Sequence, residues 1–235
     1  MTWAAVIVAA GRGTRLGAPK QFLDLAGTPM VGWSIRTFAS MDEIAALVVV
    51  TEPESVEPLQ SLCGQIAPQR RWRVVRGGAT RQQSVYEGLR AVPDECDDVL
   101  VHDGARPLVS IDDVRAGMCE VRVGRAVLLA TPLVDTIKRV EPESLQVQAT
   151  LDRRTLWAAQ TPQFARTAEL RAAHEAARRD SVEVTDDAAL LERAGVAVIV
   201  IPSTKENFKV TLPADVARAH VILRLSKDDG PRGQP

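Results

Sequence analysis

The stretch "AAVIVAAGRGTRLGAPKQF", residues Ala4 to Phe22, decides how the chain begins to fold. Its apolar part, Ala4–Ala9, is typical of a buried strand, and it runs directly into a loop that holds Gly11, Gly13 and Gly17. Ligands of open α/β sheets bind at the carboxyl ends of the strands. We therefore expect this loop to bind a ligand.

The spacing of the glycines and the cations of the loop narrow the choice of ligand. The spacing G-x-G-x-x-x-G is one residue longer than the dinucleotide fingerprint, and the first acid after the second predicted strand, Glu52, lies too far away to hold a ribose. The loop is not a G-x-x-x-x-G-K-[ST] motif either. Arg15 and Lys20 are suited to neutralise a triphosphate while charge develops at phosphorus. A tight turn with solvated cations is the simpler alternative.

Apolar runs alternate with helical patterns along most of the chain, which predicts a three-layer α/β domain with a mostly parallel sheet. The predicted strands are Ala4–Ala9, Ala45–Val50, Trp72–Val75, Val99–His102, Ala126–Ala130 and Val196–Ile201. The predicted helices are Met30–Ala39, Ser55–Cys63, Arg81–Ala91, Val114–Arg122, Thr167–Arg179, Asp186–Ala194 and one from Pro213 to about Leu225.

The alternation breaks at about residues 133–155. Two extended stretches, Asp135–Val140 and Leu145–Leu151, flank the turn-forming segment "EPES". This pattern predicts a β-hairpin arm, and a hairpin needs a partner surface to be stable. A dimer contact is one such surface. We expect a single domain over residues 1–225 and a disordered tail over 226–235, because the tail has no apolar residues.

Composition excludes several classes of protein. The 235 residues carry 29 basic and 30 acidic side chains, a net charge of −1, so no global positive field attracts nucleic acid or a membrane surface. No apolar run is long enough to span a membrane, and no signal peptide is recognisable. The three cysteines are far apart and are expected to be thiols in a reducing compartment. We expect a cytoplasmic protein.

A second candidate site follows the strand of "VLVHDGARP", residues 99–107. Asp103 comes directly after the predicted strand and is therefore expected at the same sheet edge as the first loop. An isolated carboxylate there suits Mg²⁺, which takes one or two carboxylates together with phosphate oxygens. Gly104 permits close backbone approach, and Arg106 adds a cation. An aspartate that only caps the next turn is the alternative.

Later motifs are individually weak. In "RGGATRQQSV", Gly78 follows a predicted strand and Ser84 lies in the helix after it. These residues could contact a base and ribose, or they could form an ordinary loop and helix cap. Arg153 and Arg154 lie beside the arm. Thr185 stands at a helix start, where a cap is the simpler interpretation, and Lys205 follows a buried strand.

The sequence carries no G-x-S-x-G motif, and His102, His174 and His220 do not form a metal set. A reaction whose nucleophile is already an anion needs no general base. Attack of a phosphate oxygen on a nucleotide α-phosphorus is such a reaction, and it requires charge neutralisation and positioning.

Seven segments together resemble one family, the 2-C-methyl-D-erythritol 4-phosphate cytidylyltransferases of the non-mevalonate isoprenoid pathway. In chain order they are "AAGRGTRLGAPKQF", "GGATRQQSV", "HDGARP", "TPLVDTIKRV", "LDRRTLWAAQTPQ", "TDDAALLERAG" and "STKENFKVT". The resemblance extends from about Ala4 to about Leu223. It implies a Rossmann-like nucleotidyltransferase fold, a homodimer joined by the arms, CTP and methylerythritol 4-phosphate as substrates, and Mg²⁺.

The resemblance also implies roles for single residues. Arg15 and Lys20 would contact the triphosphate and stabilise the transition state, and Lys205 would hold the substrate phosphate. The residues implied for the nucleotide are Ala9, Ala10, Gly11, Gly13, Gly78, Ser84 and Asp103. Those implied around the metal and the second substrate are Asp103, Arg106 and Thr185, with Thr136 and Arg153 reaching from the partner's arm; Asp103 as a direct metal ligand is our own inference.

One position departs from the family. Many relatives have an acidic residue after the double glycine, where this chain has Ala79, which leaves only backbone contacts to the nucleotide there. Three alternatives stay open: a ribitol 5-phosphate cytidylyltransferase, a non-catalytic nucleotide-binding protein, and an NAD-dependent oxidoreductase, which the loop spacing disfavours.

Overall fold

A seven-stranded sheet forms the centre of the protein in a computed structural model that describes residues 2–11 and 20–228. Its strands are β1 (Trp3–Val8), β4 (Ile44–Thr51), β5 (Trp72–Arg76), β6 (Asp98–Asp103), β7 (Arg125–Pro132), β10 (Trp157–Arg166) and β11 (Ala197–Pro202). They lie in the order β11-β7-β10-β6-β1-β4-β5. A short ribbon, β2 (Asp24–Leu25) with β3 (Thr28–Pro29), precedes the first helix.

The predicted mostly parallel sheet is confirmed. β1 pairs in parallel with β4 and β6, β4 with β5, and β7 with β11. The exception is β10, which runs antiparallel between β6 and β7. The sequence analysis missed β10 because Gln160, Pro162 and Gln163 interrupt its apolar pattern.

Helices cover both faces of the sheet, as a three-layer fold requires. They are α1 (Met30–Ala39), α2 (Val56–Ile66), α3 (Arg81–Arg90), α4 (Ile111–Glu120), α5 (Thr167–Arg179), α6 (Asp187–Arg193) and α7 (Pro213–Asp228). Alternate residues of β1 point to opposite faces. Ala5 and Ile7 pack in one buried cluster with α1, α2 and α4, whereas Ala4 and Val6 pack in another with α3, α5 and α6.

The predicted bounds of α1 and α5 are confirmed, those of α3 and α6 differ by one residue at one or both ends, and three other helices differ by more. α2 is preceded by a 3₁₀ turn, Pro53–Ser55, and continues to Ile66. α4 begins at Ile111, three residues before its predicted start, because Ser110 caps it by accepting from Asp112 N. α7 reaches Asp228, so the predicted disordered tail from residue 226 is wrong for its first three residues; residues 229–235 lie outside the described part of the chain.

The arm is a separate two-stranded sheet, as predicted. Its strands, β8 (Lys138–Val140) and β9 (Val147–Thr150), are antiparallel and shorter than the two predicted extended stretches. The arm carries exposed apolar side chains: Val134 is 53% exposed, Leu145 71% and Val147 56%. Such a surface is typical of a region that binds another protein.

None of the helices within residues 2–11 and 20–228 has both the length and the apolar character needed to cross a membrane.

Candidate active site

A cavity of about 320 Å³ opens at the carboxyl ends of β1 and β6. It lies at the sheet edge where the sequence predicted a ligand. The described lining residues are Val8, Ala9, Ala10, Gly11, Lys20, Gln21, Met30, Glu52, Gly78, Ala79, Thr80, Arg81, Ser84, Asp103, Gly104, Ala105 and Lys209. The cavity therefore brings together seven of the residues proposed from the sequence: Ala9, Ala10, Gly11, Lys20, Gly78, Ser84 and Asp103.

The first loop enters this cavity on a fixed path. Ala9 N donates to Val50 O at 2.7 Å, which ties the loop to the end of β4. A Cβ added to Gly11 would lie 3.4 Å from Lys20 Cε, so the lysine side chain passes close over the backbone there. Arg15 and Gly13 were also predicted site residues, and they lie outside the described part of the chain.

The loop after β5 forms the second wall. Ser84 Oγ accepts from Gly78 N at 3.1 Å and donates to Thr80 O at 2.9 Å, so this buried hydroxyl shapes the loop. A Cβ on Gly77 would lie 2.7 Å from Ser84 Oγ and 2.8 Å from Ala10 Cβ, a separation that excludes any larger residue unless the walls move apart. The glycine thus allows the two walls to approach.

Ala79, the departure from the family, does not leave its backbone N–H open. The N–H donates to Gln83 Oε1 at 2.9 Å. The backbone contact that we expected this residue to keep for the nucleotide is therefore already used within the chain.

Asp103 is the last residue of β6 and the centre of charge in the cavity. It accepts from Arg81 Nε at 3.1 Å and from Lys209 Nζ at 2.8 Å. Burial alone would raise the pKa of the Asp103 carboxyl, but Arg81, Lys209 and Arg106 hold that pKa well below its usual range. The carboxylate is therefore ionised at neutral pH and can balance two cations.

Arg81, the first residue of α3, links Asp103 to a second buried acid. Its Nη1 donates to Asp187 Oδ2 at 2.9 Å, and Asp187 Oδ1 lies 3.1 Å from His174 Nε2. Desolvation would lower the Arg81 pKa, but Asp187 and Asp103 raise it above its ordinary value, so the guanidinium stays charged. Sequence reasoning missed this network, although "GGATRQQSV" and "TDDAALLERAG" were both singled out.

Lys209, not Lys205, is the lysine of this segment that lies in the cavity. Lys205 is exposed and is not among the described residues that line the cavity, while Lys209 reaches Asp103. Buried Asn207, whose amide donates to Gln160 Oε1 and Thr161 O at 2.9 Å, and Val210, whose N–H donates to Ala105 O, set the direction of the segment. Lys205 therefore lies outside the described lining of the cavity, and its role in holding the substrate phosphate stays a prediction.

Arg106 lies beside the cavity, but its guanidinium makes hydrogen bonds to backbone carbonyls of other segments. Its Nη1 donates to Asn207 O at 2.7 Å and its Nη2 to Ala159 O at 3.5 Å. It joins the turn after β6 to the segment that carries Lys209. Its Nε lies 3.9 Å from Asp103 Oδ2.

Thr185, Thr136 and Arg153 do not meet the cavity within this chain. Thr185 is exposed, and Asp186 rather than Thr185 caps α6 by accepting from Ala189 N at 3.1 Å. Thr136 and Arg153 are exposed on the arm, where Arg153 donates to Val134 O. Neither of these two residues is among the described lining residues of the cavity.

Within the described residues, no group of three or more His, Cys, Asp or Glu side chains could hold a metal ion by itself. Asp103 and Glu52 are the acids among the described lining residues. A cation here would need most of its ligands from a bound anion.

Known proteins resemble this chain over nearly its whole length. Residues 3–225 match the family model "IspD: 2-C-methyl-D-erythritol 4-phosphate cytidylyltransferase". A 2-C-methyl-D-erythritol 4-phosphate cytidylyltransferase from Streptomyces coelicolor is 47% identical, covering 97% of this chain and 87% of that protein. One from Gloeobacter violaceus is 41% identical, covering 96% and 99%.

Solved structures of proteins named for this activity are also similar to this chain. The crystal structure of a 2-C-methyl-D-erythritol 4-phosphate cytidylyltransferase from Thermus thermophilus is similar, with a TM-score of 0.77 at 33% identity, covering 95% of this chain and all of that one (100%). The 4-diphosphocytidyl-2C-methyl-D-erythritol synthase of Anaerococcus prevotii is similar at a TM-score of 0.84 and 26% identity, covering 95% and 96%.

Proposed function

This chain belongs to the 2-C-methyl-D-erythritol 4-phosphate cytidylyltransferase family, and from that premise we infer how it transfers a cytidylyl group from CTP to 2-C-methyl-D-erythritol 4-phosphate. A phosphate oxygen of the acceptor attacks the α-phosphorus of CTP. The bond from that phosphorus to the β-phosphate bridging oxygen breaks, and pyrophosphate leaves. The product is 4-(cytidine 5'-diphospho)-2-C-methyl-D-erythritol, an intermediate of isoprenoid biosynthesis.

One observation carries the use of this cavity: the cations Lys20, Arg81 and Lys209 line it, and two of them, Arg81 and Lys209, bind the carboxylate of Asp103. The nucleophile is already an anion, so it needs no general base. The reaction instead requires cations fixed around the phosphates before charge moves from the attacking to the leaving oxygen.

The first loop supplies the triphosphate side of the site in this proposal. Lys20 and Arg15 bind the phosphates and stay in place as charge develops. Ala9, Ala10 and Gly11 place the backbone close to the nucleotide, and Gly13 keeps its nucleotide-binding role on the sequence resemblance alone. Gly78 and Ser84 form the wall on the base and ribose side.

Lys209 takes the role that the sequence analysis gave to Lys205. Its ammonium lies against Asp103 and can be shared with an incoming phosphate, which places the acceptor beside the α-phosphorus. Arg106 lies beside the cavity on this side, with its Nε 3.9 Å from Asp103 Oδ2. Gly104 packs closely here: an added Cβ would lie 3.2 Å from Val31 Cγ2 and 3.3 Å from Val8 O, so a larger residue at this position would require those neighbours to move.

The residues present fit a divalent cation held mainly by the nucleotide. An ionised carboxylate has about four lone-pair positions, and Asp103 uses two of them on Arg81 and Lys209. Asp103 would be the protein ligand of Mg²⁺, with phosphate oxygens completing the shell. When bound, Mg²⁺ would neutralise phosphate charge in the transition state.

The arm proposal concerns a homodimer. The exposed apolar residues of the arm need cover, and a second copy supplies it with the same surface on both chains. In that dimer Thr136 and Arg153 reach the partner's acceptor site. Their exposure in a single chain is what such a role requires.

Purified protein with CTP, Mg²⁺ and 2-C-methyl-D-erythritol 4-phosphate is expected to release pyrophosphate, measured by a coupled phosphate assay. Ribitol 5-phosphate and a reaction without acceptor serve as controls. Release with ribitol 5-phosphate but not with methylerythritol phosphate would overturn the substrate assignment. Release without any acceptor would point to hydrolysis instead of transfer.

The arm proposal predicts complementation between two inactive variants. In a mixed dimer of Arg153→Ala and Lys20→Ala chains, one of the two sites has both residues intact, so activity returns on mixing. Arg154→Ala is the matched control: Arg154 is an exposed neighbour bound to Asp152 of its own chain at 2.7 Å, and its variant is expected to keep wild-type activity. Failure of the mixture to recover activity, with mixed dimers verified by mass spectrometry, would contradict the proposal.

A further inference from the structure

Two buried residues, His102 and Thr161, lie behind Asp103, where the pairing between β6 and β10 has ended. β10 pairs with β6 from Arg166↔Asp98 to Gln163↔Val101, and its pairing with β7 shifts register between Ala159 and Gln163. Asp103 N therefore has no backbone partner on β10. It donates instead to Thr161 Oγ1 at 3.0 Å.

The hydroxyl of Thr161 continues this contact to the His102 ring. Because Thr161 Oγ1 accepts from Asp103 N, its own hydrogen is available to donate, and His102 Nδ1 lies 3.2 Å away. To accept that hydrogen, Nδ1 must carry no proton. The other ring nitrogen, Nε2, lies 3.0 Å from the Arg106 carbonyl, which can only accept.

The neutral form of His102 with its proton on Nε2 satisfies both contacts at once, with Nε2 donating to Arg106 O and Nδ1 accepting from the Thr161 hydroxyl. The result is a continuous chain of donors and acceptors from Asp103 N through Thr161 and His102 to Arg106 O.

This chain closes the turn that presents Asp103 to the cavity. Arg106 N donates to Asp103 O at 2.9 Å, so the two ends of the turn are joined directly as well as through His102. Arg106 Nη1 in turn binds Asn207 O in the segment that carries Lys209. A shift of the turn would therefore move both members of the Asp103–Lys209 pair.

We propose that His102 and Thr161 are positioning residues for cytidylyl transfer, which hold the Asp103–Arg106 turn so that Asp103 and Lys209 meet in the cavity. The proposal rests on the proposed function. Neither residue is among the described lining residues of the cavity, so they act through Asp103 and touch no substrate.

A merely structural role makes a different prediction. The His102 ring also packs edge-on against Phe38, with ring centroids 5.2 Å apart, in the core beneath α1. If His102 only filled space, its replacement would lower the free energy of unfolding and leave the folded enzyme active. Phe38→Leu is the matched control because it loosens the same packing and leaves every hydrogen bond of the chain in place.

The first measurement is a double-mutant cycle on kcat/KM. Thr161→Val and His102→Gln are each expected to lower kcat/KM by about tenfold, the effect of one lost hydrogen bond. Because both break the same chain, the double variant should be no more than about twofold worse than the poorer single variant. Thr161→Ser should retain activity, and Phe38→Leu should remain near wild type under conditions where all variants are folded. Losses that multiply in the double variant, or an equal loss in Phe38→Leu, would overturn the proposal.

The second measurement follows the Asp103 amide by hydrogen exchange with NMR detection. Thr161→Val should reduce protection of Asp103 N–H and leave Gly104 N–H, which donates to Val8 O at 2.9 Å, unchanged. Unchanged protection at Asp103 would also overturn the proposal. This measurement does not use the reaction: if the wild-type protein released no pyrophosphate, the proposed function would fail while the exchange result still tested the chain of contacts.

Discussion

Asp103→Asn is expected to lower kcat/KM for cytidylyl transfer by a factor on the order of 10²–10³, comparable to the loss of a preorganised transition-state contact. The asparagine side chain is neutral and accepts through its oxygen only. Arg81 and Lys209 therefore lose the negative charge that they share and one of their two acceptor atoms. In the proposed function, the substitution also removes the carboxylate that would bind Mg²⁺. Initial rates of pyrophosphate release with both substrates varied would measure the effect.

Asp98→Asn is the matched control for this substitution. Asp98 is a buried acid at the opposite end of β6, paired with Arg166 Nη1 at 2.9 Å. Both variants replace a buried, ion-paired aspartate by its neutral amide, and urea denaturation measures whether each variant stays folded. Wild-type kcat/KM is expected for Asp98→Asn. Similar rates in the two variants would remove Asp103 from the reaction.

Lys209→Met is expected to lower kcat/KM by a factor on the order of 10² or more. Methionine keeps most of the apolar stem and removes the ammonium that lies 2.8 Å from Asp103. If Lys209 holds the acceptor phosphate, most of the loss should appear as a higher KM for methylerythritol 4-phosphate, while the affinity for CTP changes little. Steady-state kinetics and calorimetric titration with CTP separate the two.

Lys205→Met tests the same change four residues earlier. Lys205 is exposed and away from the described lining residues of the cavity, so kcat/KM should stay within about twofold of wild type, as for most surface substitutions. A large loss in Lys205→Met with a small one in Lys209→Met would restore the original expectation from the sequence.

The two lysines show where sequence reasoning reached its limit. Both stand in "STKENFKVT", a segment without helical or strand periodicity, so no pattern tells which side chain turns inward. The choice is made by buried Asn207, which binds Gln160 and Thr161 more than forty positions earlier. Contacts of that range are not visible in a local pattern.

The ion network around Arg81 could not be predicted from the sequence for the same reason. Arg81 and Asp187 are 106 positions apart, as are Asp103 and Lys209. The sequence placed Arg81 at a helix start beside a glycine loop, where an exposed cation was as reasonable as a buried one. Its burial depends on α6 packing against α5 and on α5 packing against α3.

Local patterns in the sequence were enough to predict the three-layer fold, the loop that follows β1, and the position of Asp103 at the ligand-binding edge. These follow from periodicity and from the rule that parallel strands bring their carboxyl ends to one edge. Three further outcomes came from long-range packing: β10 runs antiparallel inside the sheet, Lys209 and Arg81 meet Asp103, and Thr161 replaces a missing ladder contact behind it. They depend on pairs of groups distant in sequence, whose burial is favourable only when both partners arrive together.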